Sequence, residues 1–142
     1  MDTPASSEAA SPSLRVLVVD DVAVNRSVAS ALLRSLGHSS EIATTGMEAF
    51  YLAIQVRFDV VLLDLSMPEL DGIEVARMFR LELPKGSATG RRVFILGTTA
   101  GTVPEDVDNL PGGGMDAWIQ KPLSAPELRT ALAGLGGSPF QR

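Results

Sequence analysis

The stretch Phe58–Gly72 constrains this chain more than any other. Val60–Leu63 is an unbroken aliphatic run, half of it β-branched. Such a run reads as a strand buried on both faces, as in a parallel sheet. It ends at Asp64, and Met67-Pro68 soon afterwards excludes both a helix and a central strand. A carboxylate therefore stands at the carboxyl end of a core strand, where open α/β sheets place their ligands. Asp64 also reads as no more than the first polar residue of a loop. The rest of the chain has to decide between the two.

Similar aliphatic runs recur. Val16–Val19 reads as a strand ending in Asp20-Asp21, and Glu41–Ala43 as a weaker one. Val93–Leu96 leads into Gly97-Thr98-Thr99-Ala100-Gly101, and Ala117–Ile119 leads into Lys121-Pro122. Helical patterns lie between them. Val24, Val28, Leu32 and Leu36 are spaced by four, and Gly37 stops that helix. Thr45 and Glu48 form a capping box before a helix whose buried face is expected at Met47, Phe50 and Ile54. Asp71 is the expected N-cap of a third helix, with Ile73, Ala76 and Phe79 inward. Thr102–Leu110 is expected to be a short helix with Pro104 in its first turn, ended by Pro111-Gly112-Gly113-Gly114. Ser124 and Glu127 cap a last helix, with Leu128, Leu132 and Leu135 inside. Five strands alternating with helices predict a parallel sheet with helices on both faces.

Composition narrows the function classes. A length of 142 residues suits one domain with a single core. Residues 1–13 read as a lead or linker, 14–135 as the domain, and 136–142 as a frayed tail. No cysteine is present, which excludes disulfides and thiolate metal sites and suits the cytoplasm. The formal net charge of -5 argues against direct nucleic-acid binding. No apolar stretch is long enough for membrane insertion, and the N-terminus lacks a signal-peptide pattern.

In a doubly wound sheet the strand ends share one edge. Asp20, Asp21, Asp64, Thr99 and Lys121 can then converge. Clustered carboxylates repel by about 4 kcal/mol per pair at 4 Å and an effective dielectric near 20. Lys121 offsets part of this, and an all-oxygen site suits Mg2+ as the second positive charge. A magnesium ion with open positions makes Asp64 a candidate nucleophile toward a phosphoryl group. Lys121 and the Thr99 hydroxyl would bind the other phosphoryl oxygens. Against these stand plainer readings. Asp20-Asp21 also suits an ordinary helix N-terminus, and Lys121 a solvated surface residue. A lone Trp118 is often core, and His38 reads as a surface residue of a helix-to-strand turn.

The residues together resemble the receiver domain of two-component response regulators, over about Leu14–Leu135. The resemblance rests on Val16-Leu17-Val18-Val19-Asp20-Asp21, Asp64 with Met67-Pro68 and Asp71-Gly72, Thr99-Ala100, and Lys121-Pro122. Val24-Asn25-Arg26 resembles receivers attached to hybrid histidine kinases. The resemblance implies a flavodoxin-like, doubly wound five-stranded parallel sheet in the order 2-1-3-4-5 with five helices. It also implies that Asp64 is the phosphoacceptor and that Asp20 and Asp21 are the acidic pair. Asp21 is then the more direct metal ligand, and Ser66 binds the metal through its backbone carbonyl. It further implies Thr99, rather than Thr98, as the switch hydroxyl, Lys121 as the phosphate-binding lysine and Trp118 as the switch aromatic. The implied partner is a histidine kinase or histidine phosphotransfer protein. The implied activity is phosphoryl acceptance on the chain's own aspartate, not turnover of external substrates. A receiver-like module that binds without phosphorylation is the alternative, and the complete residue set argues against it. One departure is the short, proline- and glycine-interrupted fourth-helix segment, which puts the family's usual output surface in doubt.

Overall fold

The aliphatic runs become the strands of one parallel sheet: β1 (Arg15–Val19), β2 (Ser39–Ala43), β3 (Val60–Asp64), β4 (Phe94–Thr99) and β5 (Ala117–Gln120). Their order is β2-β1-β3-β4-β5, as the family resemblance implies, and every neighbouring pair is parallel. This computed structural model describes residues 13–67, 72–82, 92–100 and 115–133. Among them are the helices α1 (Ala23–Ser35), α2 (Gly46–Gln55), α3 (Gly72–Glu82) and α4 (Ala125–Leu132). The expected short helix at 102–110, the Asp71 cap, Leu135, the tail and all of the lead except Ser13 lie outside the described residues.

Strand pleating sends alternate side chains to opposite faces. Leu17, Val19, Val61, Leu63 and Ile95 pack on one side with Ala49 and Ala53 of α2 and with Ala76 and Phe79 of α3. Val16, Val18, Val60, Leu62 and Leu96 pack on the other with Ala29 and Leu33 of α1 and with Leu128 and Leu132 of α4. β3 is buried along its whole length, as its unbroken aliphatic run requires. Each fully buried Val, Leu or Phe contributes about 1.5–3 kcal/mol of transfer free energy.

Two helices present a different face from the one expected. In α1 the buried residues are Ala29 and Leu33, whereas Val24 and Val28 are exposed. Residues four apart overshoot a full turn by about 40°, so a strict four-residue row winds around the helix. In α2 the buried residues are Gly46, Ala49 and Ala53, while Met47 and Ile54 are exposed. The spacing is as expected but turned by one residue. Small side chains let the helix backbone approach the sheet, and the large ones turn outward. Phe50 still reaches the core edge and stacks on Phe79, with ring centroids 6.1 Å apart.

The helix ends follow local chemistry. Gly37 takes φ +92°, and the amides of Gly37 and His38 donate to the carbonyls of Arg34 and Leu33. That is a Schellman closure, and it needs the glycine. Thr45 Oγ1 accepts from the Glu48 amide at 3.0 Å. The Glu48 carboxylate closes the box on Thr44, one residue earlier than expected, and the Thr44 amide holds it below its usual range. Ser124 Oγ accepts from the Glu127 amide at 3.4 Å. At the opposite sheet edge two aspartates bind neighbouring strand starts. Asp59 accepts from the Arg15 amide at 2.9 Å, and Asp116 from the Ile95 amide at 2.8 Å.

His38 is not a simple surface residue. It is half-buried, and its Nδ1 accepts from the Leu14 amide at 3.0 Å, pinning the approach to β1. Burial pushes its pKa down from the ordinary 6.5, against the pull of the Asp59 charge. The unfolded imidazole therefore protonates first, so stability is full above about pH 6.5 and falls as pH drops through and below it. Urea melts at about pH 7.5 and 5 are expected to show a larger loss in wild type than in His38→Gln. Equal losses would exclude this contribution. A second prediction concerns Gly97 in β4. A Cβ there would lie 2.6 Å from Met115 Sδ and 3.2 Å from Leu65 Cδ1. Gly97→Val is expected to cost about 1–3 kcal/mol in denaturant unfolding, since it crowds the residue that follows Asp64.

Candidate functional site

The carboxyl edge of the sheet collects the polar strand ends. Asp20 directly follows β1, Asp64 closes β3, Thr99 closes β4, and Lys121 directly follows β5. Register brings them together: Asp64 pairs with Thr98 across β3 and β4, and Thr99 with Gln120 across β4 and β5. The Leu65 amide donates to the Thr98 carbonyl at 2.8 Å, and the Lys121 amide to the Thr99 carbonyl at 2.7 Å. The site is thus an extension of the sheet's own hydrogen bonding.

Lys121 Nζ lies 3.0 Å from Asp64 Oδ1 and 3.6 Å from Asp20 Oδ2. Asp64 is 2% exposed, so its carboxylate needs these partners in a nearly dry setting. The Ser66 amide donates to the same Asp64 Oδ1 at 3.0 Å. Asp20 Oδ1 accepts from the Val22 amide at 2.9 Å and from Asn25 Nδ2 at 3.5 Å. Burial raises the Asp20 pKa above its ordinary value; the Val22 amide opposes this, the Asp64 charge adds to it, and Lys121 opposes it again. Asp21 is exposed at the rim.

Carboxylate oxygens of Asp20, Asp21 and Asp64 all lie within 4.8 Å of one another. Three carboxylates against the one Lys121 ammonium leave a formal charge of −2 there. That balance, the all-oxygen donor set and the exposed side at Asp21 fit a hard divalent cation. The two acids are not the cap of α1. Its N-cap is Val22, which makes no side-chain cap bond, and the first turn holds no acidic residue. Asp20 lies two residues ahead of that cap and accepts from its amide, so a helix-terminus contact accompanies its place in the acidic cluster.

Thr99 is buried at 7% exposure, on the opposite pleat from Thr98. Trp118 is 37% exposed and stands beside Pro126 and Thr130 of α4, so it is not a core residue. Two neighbours of the site were not assigned contacts from sequence. Asn25 reaches Asp20, and the Arg26 guanidinium donates to the Asp20 carbonyl at 3.0 Å. Their place in the first turn of a helix that begins just after Asp20 was the available signal.

Comparison with known proteins agrees with this fold. Residues 16–133 match the family model of the response regulator receiver domain. The sensor histidine kinase AruS of Pseudomonas aeruginosa is 38% identical over 135 residues, covering 95% of this chain and 13% of that protein. The aerobic respiration control sensor protein ArcB of Escherichia coli is 32% identical over 121 residues, covering 85% of this chain and 15% of that protein. The chain thus spans only a small part of these kinases. A crystal structure of a sensor histidine kinase receiver domain from Pseudomonas aeruginosa PAO1 is similar at a TM-score of 0.72 and 34% identity. The likeness covers 89% of this chain and 100% of that one, which carries a magnesium ion coordinated in its active-site cleft. On sequence, fold and the disposition of its strand-end residues, the chain belongs to the response regulator receiver domain family of two-component systems.

Proposed function

We propose that this receiver domain takes a phosphoryl group from a phosphohistidine onto Asp64. The observation that carries the reading is the Lys121 ammonium 3.0 Å from the Asp64 carboxylate, inside a cluster of three acids. An Asp64 oxygen attacks phosphorus, the phosphorus–nitrogen bond breaks, and the imidazole leaves with the electron pair, giving an aspartyl phosphate. Asp20, Asp21, Asp64 and the Ser66 carbonyl would hold Mg2+, whose contribution is to neutralise charge on the phosphoryl oxygens. Lys121 binds a second phosphoryl oxygen and the Thr99 hydroxyl a third, so charge developing there meets donors already in position. The near-complete burial of Asp64 limits water around the acceptor.

Phosphorylation adds about −1.5 to −2 charge beside Lys121. Thr99 moves toward the new oxygens and Trp118 repacks at the β5–α4 surface, shifting the population between two partner-binding states. The donor is a histidine kinase or a histidine phosphotransfer protein, in keeping with the kinases to which the chain is similar. The protein is a phosphoryl acceptor and switch, not an enzyme turning over external substrates. It acts without direct nucleic-acid binding or membrane insertion, consistent with its net charge of -5, and its compartment is the cytoplasm. No described helix is long and apolar enough to cross a membrane.

Incubation with acetyl phosphate and Mg2+, followed by intact mass, is expected to show one phosphoryl adduct. Asp64→Asn and chelation of the metal should each abolish it. An adduct that persists unchanged in Asp64→Asn would overturn the assignment. In a second measurement, Trp118 fluorescence is expected to change when beryllofluoride is added with Mg2+. A constant signal would remove Trp118 from the switch while leaving the acceptor chemistry standing.

A further inference from the structure

A cavity of about 340 Å3 lies between α1, the sheet and the segment that leads into α4. Val18 and Leu62 of the sheet, Val28 and Ala29 of α1, and Leu123 form its apolar walls. Protein interiors hold few voids larger than a water molecule. This volume instead falls at the low end of small-molecule pockets, which run from about 300 to 1,000 Å3.

Thr98 gives the cavity its one buried hydroxyl. By the pleat, its side chain shares the face of Leu96 and Leu62, the face on which α1 and α4 pack. Thr98 is 3% exposed, and its carbonyl is taken by the Leu65 amide. Its hydroxyl has no hydrogen-bond partner among the described residues. A buried hydroxyl left unanswered is costly and uncommon. The walls around Thr98 itself are Val, Leu and Ala, which offer an ordered water few of the several polar partners it needs and favour an apolar occupant.

At the other end stand Asp20, Asn25 and Lys121. Their charges are already engaged: Asp20 by the Val22 amide and Asn25, and Lys121 by Asp64 and Asp20. A charged ligand would have to compete with these existing contacts for its counterion. We propose that the cavity is a binding site for a small neutral molecule, with a compact aromatic or alicyclic body and one hydroxyl or carbonyl that pairs with Thr98. The site stands independently of phosphoryl transfer. Because Asp20 and Lys121 form part of its wall, an occupant also bears on the charged cluster that contains Asp64.

Methyl NMR of the intact protein tests this, with phenol and toluene as probes. Phenol is expected to give saturable shifts of the Val18, Ala29, Leu62 and Leu123 methyls. The isosteric Thr98→Val should weaken phenol roughly fivefold, the worth of one neutral hydrogen bond, and leave toluene within about twofold. Ala29→Leu fills the cavity and should abolish both. Val28→Phe, at the exposed rim, gives the same reading if Ala29→Leu disturbs folding. Absence of saturable shifts with either probe overturns the proposal. So does binding that survives both filling variants, or an equal loss of phenol and toluene in Thr98→Val.

Discussion

The contact between the Lys121 ammonium and the carboxylates of Asp64 and Asp20 is the interaction on which the site depends. It joins residues at the carboxyl ends of β1, β3 and β5 and so reaches from β1 across β3 and β4 to the edge strand β5. Without a positive charge there, buried Asp20 and Asp64 would face each other at short range in a poorly screened setting. Lys121 alone leaves the cluster formally negative, and this residual charge suits it to a divalent ion and to a phosphoryl group that arrives with one. Structural stability and chemistry are coupled through the same ammonium.

The sheet makes that contact possible by dividing the core in two. One face packs α2 and α3 through small residues and Phe79; the other packs α1 and α4 through Leu33, Leu128 and Leu132. β3, covered on both sides, is the most protected strand, and it delivers Asp64. The strand-start contacts of Asp59 and Asp116 brace the opposite edge. The carboxyl edge is thereby left for ligands, as in other doubly wound sheets. Thr98 and Thr99 show how finely the pleat divides roles. One faces the α1 side and its cavity, while the other lies on the opposite pleat, so adjacent hydroxyls belong to different surroundings.

Helix faces were the least legible part of the chain. The rows at Val24–Leu36 and at Met47, Phe50 and Ile54 counted large apolar residues. The fold instead buried Ala29, Ala49 and Ala53, because close approach of a helix to a sheet selects small side chains as much as apolar ones. His38 departs from a surface role for a related reason. Its value lies in accepting the Leu14 amide, a contact across 24 residues that no local pattern announces.

What the sequence by itself determined is the alternation of strand and helix, the parallel sheet that follows from it, and the identity of the residues at each strand end. Short-range rules suffice for these: an aliphatic run ends where a charge begins, and parallel strands require right-handed crossovers. What only the tertiary structure decided is which of those residues touch. The 3.0 Å contact of Lys121 with Asp64, the approach of Asn25 and Arg26 to Asp20, and the cavity faced by Thr98 depend on register and on helix rotation. Rotation is settled by packing small side chains against the sheet, a matter of volume that hydrophobic periodicity does not encode.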